Sequence, residues 1–230
     1  MQVHGALTDF LGLFVPDRCA GCDTALMRGE RCICFRCAHE LPRTRFHDDA
    51  QNAVEQVFRG RLRLEAASAF LKFSPKGHVQ HMLHRLKYKA DREVGLELGR
   101  RMGQDLMTSR RFASVDTALA VPLHPAKLRM RGYNQAQVLV DGLCEVWPIA
   151  NFGEGLLRIA HTATQTRRGR LDRWKNVKEA FQLQDSSPLQ GKHVLIVDDV
   201  VTTGATIEAC ALALAAVPDL RISVFTCACA

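Results

Sequence analysis

The chain has no run of roughly 18 uncharged apolar residues, the length a bilayer-spanning helix requires, so no segment reads as a membrane span. It has no Gly-Lys-Ser/Thr phosphate loop, which argues against a Walker-type nucleotide site. Its opening residues, MQVHGALTDFLGLFVPDRC, carry no basic cluster, and Asp9 interrupts their apolar part, so no secretory signal is expected. Internal repeats and low-complexity tracts are missing as well. These absences lead to the expectation of a cytoplasmic protein, and in a reducing compartment clustered thiols more often hold a metal than pair as disulfides.

What is present is basic and cysteine-rich. The 230 residues suffice for one well-buried domain and a small appendage. A net charge of +7 suits anionic ligands, either phosphorylated small molecules or nucleic acid. Five of the nine cysteines crowd into residues 19 to 37. Cys19-x2-Cys22 and Cys34-x2-Cys37, with eleven residues between them, let four thiolates converge on a structural Zn²⁺, leaving Cys32 as a spare. A redox thiol pair and an iron–sulfur site are the competing readings. Four thiolates leave no open position, so a catalytic zinc is not expected, and metal binding would supply the folding energy of so short a segment.

A polar linker follows from Pro42, and then the texture alternates between strand and helix. Apolar runs at 66–73, 117–123, 155–160, 193–199 and 221–227 are spaced by helical patterns, two of them at about 76–89 and 91–109. This rhythm predicts an α/β domain with a mostly parallel sheet. The expected organisation is a zinc-binding knuckle over 1–45 and a larger domain over 60–230. Two basic segments lie between the apolar runs. One is 124–135; the other, 161–178, sets Arg167, Arg168, Arg170, Arg173, Lys175 and Lys178 against Asp172 alone.

The string VDDVVTTGAT, 197–206, carries the most specific chemistry. Ligands of an open α/β sheet bind at the carboxyl ends of strands, where the next helix presents free amides. The small residues Thr202, Thr203, Gly204, Ala205 and Thr206 let backbone wrap a phosphate monoester without a lysine. Asp198 and Asp199 stand one sugar's length upstream. Adjacent carboxylates repel unless donors or a cation lie between them, and a ribose diol with Mg²⁺ supplies both. The reading is a ribose 5-phosphate site.

That string, with Phe73, LKY (86–88), VPLHPAKLRMRGYNQA (121–136), Arg158, Thr162, Gln165, Arg173, NV (176–177) and AF (180–181), resembles the ComF/GntX group over roughly residues 13 to 227. These are type I phosphoribosyltransferase-like proteins with a cysteine knuckle, linked to natural transformation and DNA uptake. The resemblance implies a type I phosphoribosyltransferase fold that binds 5-phosphoribosyl 1-pyrophosphate (PRPP) with Mg²⁺. It implies that Asp198 and Asp199 hold the ribose, and that Val200, Val201 and Thr202 to Thr206 complete the sugar and 5-phosphate site. Lys127, Arg131 and Gly132, on the loop after the 117–123 run, would face pyrophosphate. Thr162, Gln165 and Arg167 would belong to a mobile loop, and catalytic roles would fall to Asp198, Asp199 and Arg167.

Chemistry agrees with those loops, since cations and Mg²⁺ stabilise departing pyrophosphate and a closing lid keeps water from the reactive sugar. Segment 161–178 reads alternatively as a solvated or nucleic-acid-binding loop. The expected function is transfer of phosphoribosyl to an unidentified nitrogen acceptor. The alternatives are a non-catalytic PRPP sensor, or an accessory of DNA uptake that binds single-stranded DNA or a protein of that machinery. His78, His81 and His84 recur every three residues and read as an ordinary amphipathic helix. Lys87 and Tyr88 have little support from chemistry alone.

Overall fold

The computed structural model describes residues 17–159 and 180–230. Five strands form one parallel sheet in the order β1-β7-β6-β2-β3, with β1 at Ala66–Lys72, β2 at Thr117–Ala120, β3 at Ala150–Asn151, β6 at His193–Val201 and β7 at Arg221–Cys229. Central β6 is apolar at both parities, as a strand covered on both faces must be. Leu195 and Val197 enter one apolar layer, and Val194 and Ile196 the other. The helices are α1 (Phe35–His39), α2 (Ala53–Phe58), α3 (His78–Tyr88), α4 (Arg92–Met107), α5 (Pro125–Arg131), α6 (Gln135–Val146) and α7 (Ala205–Leu214). The first layer holds α3, α4 and α6; the second holds α2 and α7.

Helices α4 and α6 pack backbone to backbone. A Cβ on Gly99 would lie 2.2 Å from the Leu139 carbonyl oxygen, and one on Gly142 would lie 2.2 Å from that of Leu96. This close approach buries Leu98, Met102, Leu139 and Leu143 completely.

The mostly parallel sheet flanked by helices is as expected, and the two helices foreseen after β1 are α3 and α4. Three local differences stand out. The 155–160 run joins no parallel sheet: β4 (Leu156–Arg158) pairs antiparallel with β5 (Phe181–Leu183) in a separate ribbon. The free edge of β2 is taken instead by β3, two exposed residues with no apolar pattern to announce them. The segment from Pro42 is no loose linker. It runs along the outer edge of β1 through an antiparallel Arg43–Leu71 bridge and a Thr44 N–H to Phe70 carbonyl bond of 3.0 Å. Buried Asn52 then donates to the carbonyls of Phe46, Asp49 and Ala67 while its own oxygen caps α2. Its polar sequence conceals this because the burial belongs to His47, Asn52 and backbone, with Phe46 partly buried against the second layer.

The cysteine segment packs on the first layer. Cys19, Ala20, Ile33, Cys34 and Cys37 share one apolar cluster with Val79, Met82 and Leu83 of α3.

Candidate functional site

In a parallel sheet all strands end at one edge, and the expected residues gather there. A cleft of about 240 Å³ is lined by Lys87 and Tyr88 from α3, Lys127 and Arg131 from α5, Arg158 from β4, and Asp198, Asp199, Val200 and Thr206. Lys127 and Arg131 sit on a short helix rather than on the expected loop. Pro125 at its first turn and the His124 side chain, which accepts from Ala126 N–H, start it. Gly132, at φ 81°, ends it as the C-cap, with its N–H on the Leu128 carbonyl at 2.8 Å, and is exposed. Its part is to turn the chain.

Successive side chains of a strand point to opposite faces, so the two aspartates have different neighbours. Asp199 is 6% exposed and meets Lys87, whose Nζ lies 3.0 Å from Oδ2. That contact is an ion pair without hydrogen-bond alignment, which leaves Oδ2 short of a true hydrogen bond. Asp198 accepts the Asp199 N–H at 2.8 Å. Burial, reinforced by the charge of Asp199, pushes the Asp198 carboxyl up to about 8, which the Asp199 amide, Lys87 and Arg158 offset only in part. Asp198 therefore holds its proton to higher pH than a free carboxyl does. The pair is a site where a further cation or hydrogen-bond donor would be stabilising, so the residues fit the expected Mg²⁺ and diol.

Past Val201, the buried last residue of β6, the chain turns through exposed Thr202 and Thr203 into α7. Gly204 caps that helix at φ 73° with no side-chain hydrogen bond, leaving the first-turn amides free. A Cβ there would also collide with Phe58 at 2.6 Å and Val57 at 2.8 Å, so only glycine fits. Arg61 fastens the same turn, donating to the Thr203 carbonyl at 2.7 Å and pairing with Glu208. Of the loop, Thr206 lines the cleft, whereas Ala205 is exposed. Thr162, Gln165 and Arg167 lie outside the described residues.

Lys87, Tyr88 and Arg158 carry more weight here than their sequence context suggested. Arg131 lies over the Tyr88 ring at 5.6 Å, and Arg158 over Phe181 at 5.3 Å, so both guanidinium groups are held in place at the cleft. The family-like motif is the stronger signal for LKY; residue chemistry alone gives it little support.

The second site is the cysteine cluster. The Sγ atoms of Cys19, Cys22, Cys34 and Cys37 all lie within 4.8 Å of one another. Cys22 and Cys34 are 3.8 Å apart, close to the roughly 3.8 Å that tetrahedral Zn–S bonds of about 2.3 Å would give. Gly21 and Cys34 amides point at the Cys19 sulfur at 3.4 and 3.3 Å, and the Cys37 amide at the Cys34 sulfur at 3.4 Å. Such donors favour thiolates. Hydrogen bonds from Thr24 lower Cys22 to about 6, whereas burial pushes Cys37 up. The four thiols can hold a metal ion. Cys32 stays outside, its thiol facing the Glu93 carbonyl at 3.7 Å and pushed up to about 12 by burial. His78 and His81 are not idle on an amphipathic helix: their rings reach Cys37 Sγ at 3.7 Å and the Gly21 carbonyl at 3.1 Å.

Residues 158–226 match the phosphoribosyl transferase domain family. The chain is 30% identical to the DNA utilization protein YhgH of Escherichia coli strain K12 over 192 residues, covering 82% of this chain and 80% of that protein. It is 35% identical to the YhgH protein of Salmonella typhi over 129 residues, 55% of this chain. That match spans only 56% of the Salmonella protein's length. Competence protein F of Haemophilus influenzae is 32% identical over 138 residues, 60% of this chain and 55% of that protein. No helix among the described residues is long and apolar enough to cross a membrane.

Proposed function

We infer that this chain, which belongs to the ComF family of phosphoribosyltransferase-like proteins, binds PRPP with Mg²⁺ in the strand-end cleft and transfers its phosphoribosyl group to a nitrogen nucleophile. The observation that carries this reading is the Asp198–Asp199 pair, half-buried and buried respectively, in one cleft with the N-terminal turn of α7, whose first amides are free, and the cations Lys87, Lys127, Arg131 and Arg158. A ligand that fits must offer donors in its middle and an anion at each end. PRPP has that order: 5-phosphate, 2′,3′-diol, pyrophosphate.

The 5-phosphate would sit on the amides of 202–206, the ribose hydroxyls would donate to Asp198 and Asp199, and the pyrophosphate would meet Lys127 and Arg131. Magnesium, when bound, would neutralise charge on the pyrophosphate and beside the acid pair. In the transfer the C1–O bond breaks with its electron pair leaving on pyrophosphate, a C1–N bond forms, and the nitrogen loses a proton to water. The protein's share is positioning and fixed positive charge rather than proton transfer. Zinc is the metal proposed for the cysteine cluster, in a structural role, and the names of the relatives, DNA utilization protein and competence protein, support a link of the proposed reaction to DNA utilization and competence. The cytoplasm is the proposed compartment, with a knuckle over 1–45 and a transferase domain over 60–230.

The test is calorimetric titration of PRPP with Mg²⁺ into the wild type and into Asp198→Asn with Asp199→Asn. Binding in the micromolar range that falls by about 100-fold or more in the variant is expected, because the ribose hydroxyls lose the carboxyl acceptors they would donate to. Equal affinity in both proteins would remove the ribose assignment. Binding without pyrophosphate release under any nitrogen acceptor would favour a sensor.

A further inference from the structure

Helix α3 touches both sites. The His81 ring donates from Nδ1 to the Gly21 carbonyl at 3.1 Å, and Arg85 donates from Nη1 to the Arg18 carbonyl at 2.9 Å. Those two carbonyls flank the first cysteine pair: Arg18 precedes Cys19, and Gly21 precedes Cys22. Arg85 is itself oriented by Asp91, with Nε 2.8 Å from Oδ2. Two residues further along, Lys87 reaches Asp199 at 3.0 Å. The Tyr133 hydroxyl donates to the Leu86 carbonyl, fixing the last turn to the cleft side. The eleven-residue helix spans about 16 Å, and Val79, Met82, Leu83 and Leu86 are buried along it, so it moves as one body.

We propose that α3 is a strut through which the metal-loaded cysteine cluster sets the position of Lys87 in the cleft, with His81 and Arg85 as positioning residues. Metal binding fixes the turn around Cys19 and Cys22, and with it the Arg18 and Gly21 carbonyls on which α3 rests. A turn without metal offers α3 no fixed anchor. Lys87 then loses its register against Asp199, and the acid pair loses the cation that favours its charged form. The coupling is reciprocal: a ligand that orders the Lys87–Asp199 end holds the cluster closed. The metal is thereby a modulator of anion binding as well as a fold element. This inference rests on the reading of the cleft as a PRPP site.

The experiment is a double-mutant cycle on the zinc-loaded full chain with His81→Ala, Lys87→Ala and the pair, read by PRPP titration with Mg²⁺ and by zinc release to a chelator. His81 is exposed, so its truncation leaves the fold in place. The His81→Ala protein should lose roughly threefold or more in PRPP affinity, and the loss should vanish in the Lys87→Ala background. PRPP should slow zinc release from the wild type and leave that from Lys87→Ala unchanged. Losses that add in full, or zinc release indifferent to PRPP in a wild type that binds it, would overturn the strut. A wild type that binds no PRPP would instead sink the ligand assignment. A ligand-free readout then decides the strut: the methyl NMR signal of reductively dimethylated Lys87 should move in His81→Ala and when zinc is stripped, and a signal that stays in place overturns it.

Discussion

The cysteine cluster and the strand-end cleft are built on opposite plans. The cluster takes its four thiols from residues 19 to 37, holds them with local amide–sulfur bonds and packs them into the apolar layer. The cleft takes its side chains from α3, α5, β4, β6 and α7, and it presses two carboxylates together at cost to the fold. The difference teaches where stability and function reside. A site made of neighbours in sequence can be a fold element, whereas a site made of distant segments must borrow its rigidity from the sheet and helices behind it.

The sharpest way to break this comparison is at the cluster. Cys19→Ser should reduce bound zinc and lower the unfolding free energy by more than about 4 kcal/mol, the range seen when a structural metal is lost. Zinc content by atomic absorption beside thermal unfolding checks it, and an unchanged zinc content would end the metal assignment. A smaller effect is expected at the hinge between the sheet and the 202–206 turn. Gly204→Ala must adopt a positive φ and push its Cβ into Phe58 and Val57. A stability loss of about 2 kcal/mol is expected in denaturant titration, together with weaker PRPP binding.

The smallest effect sharpens the contrast most. The folded-state value of Asp198 is raised to about 8, above its ordinary value of 3.8. The native state therefore keeps a proton that the unfolded chain has lost, and stability falls as pH rises from about 4 to about 8, levelling off above. Asp198→Asn removes that penalty, so at pH 8 the variant should be more stable than wild type by about 1 kcal/mol or more, with a flatter profile across that window. Denaturant titrations at several pH values read both curves. A variant less stable at pH 8 would mean the pair supports the fold rather than burdening it.

The same contrast explains what the sequence could tell. The cysteine spacing, the β6 run and the DDVVTTGAT turn are local patterns, and each produced the element or cluster expected of it. Lys87 gave no chemical signal of its own because its partner, Asp199, is distant in sequence and is brought near only by the parallel sheet. His78 and His81 read as a drifting helix face because the knuckle they touch lies far upstream. The 155–160 run reads as a strand of the main sheet because its apolar pattern does not say which neighbour it pairs with. The segment after Pro42 reads as a linker because its contacts run through backbone and a few scattered side chains, Phe46, His47 and Asn52. What was illegible was tertiary in each case.

The central claim is that the turn after β6 holds the sugar phosphate of PRPP. A crystal structure of the protein grown with PRPP and Mg²⁺ tests it most directly. The expected density places the 5-phosphate on the amides of residues 202–206, with the ribose hydroxyls against Asp198 and Asp199. A ligand whose phosphates lie only on Lys127 and Arg131, with the 202–206 turn free of it, would contradict the account.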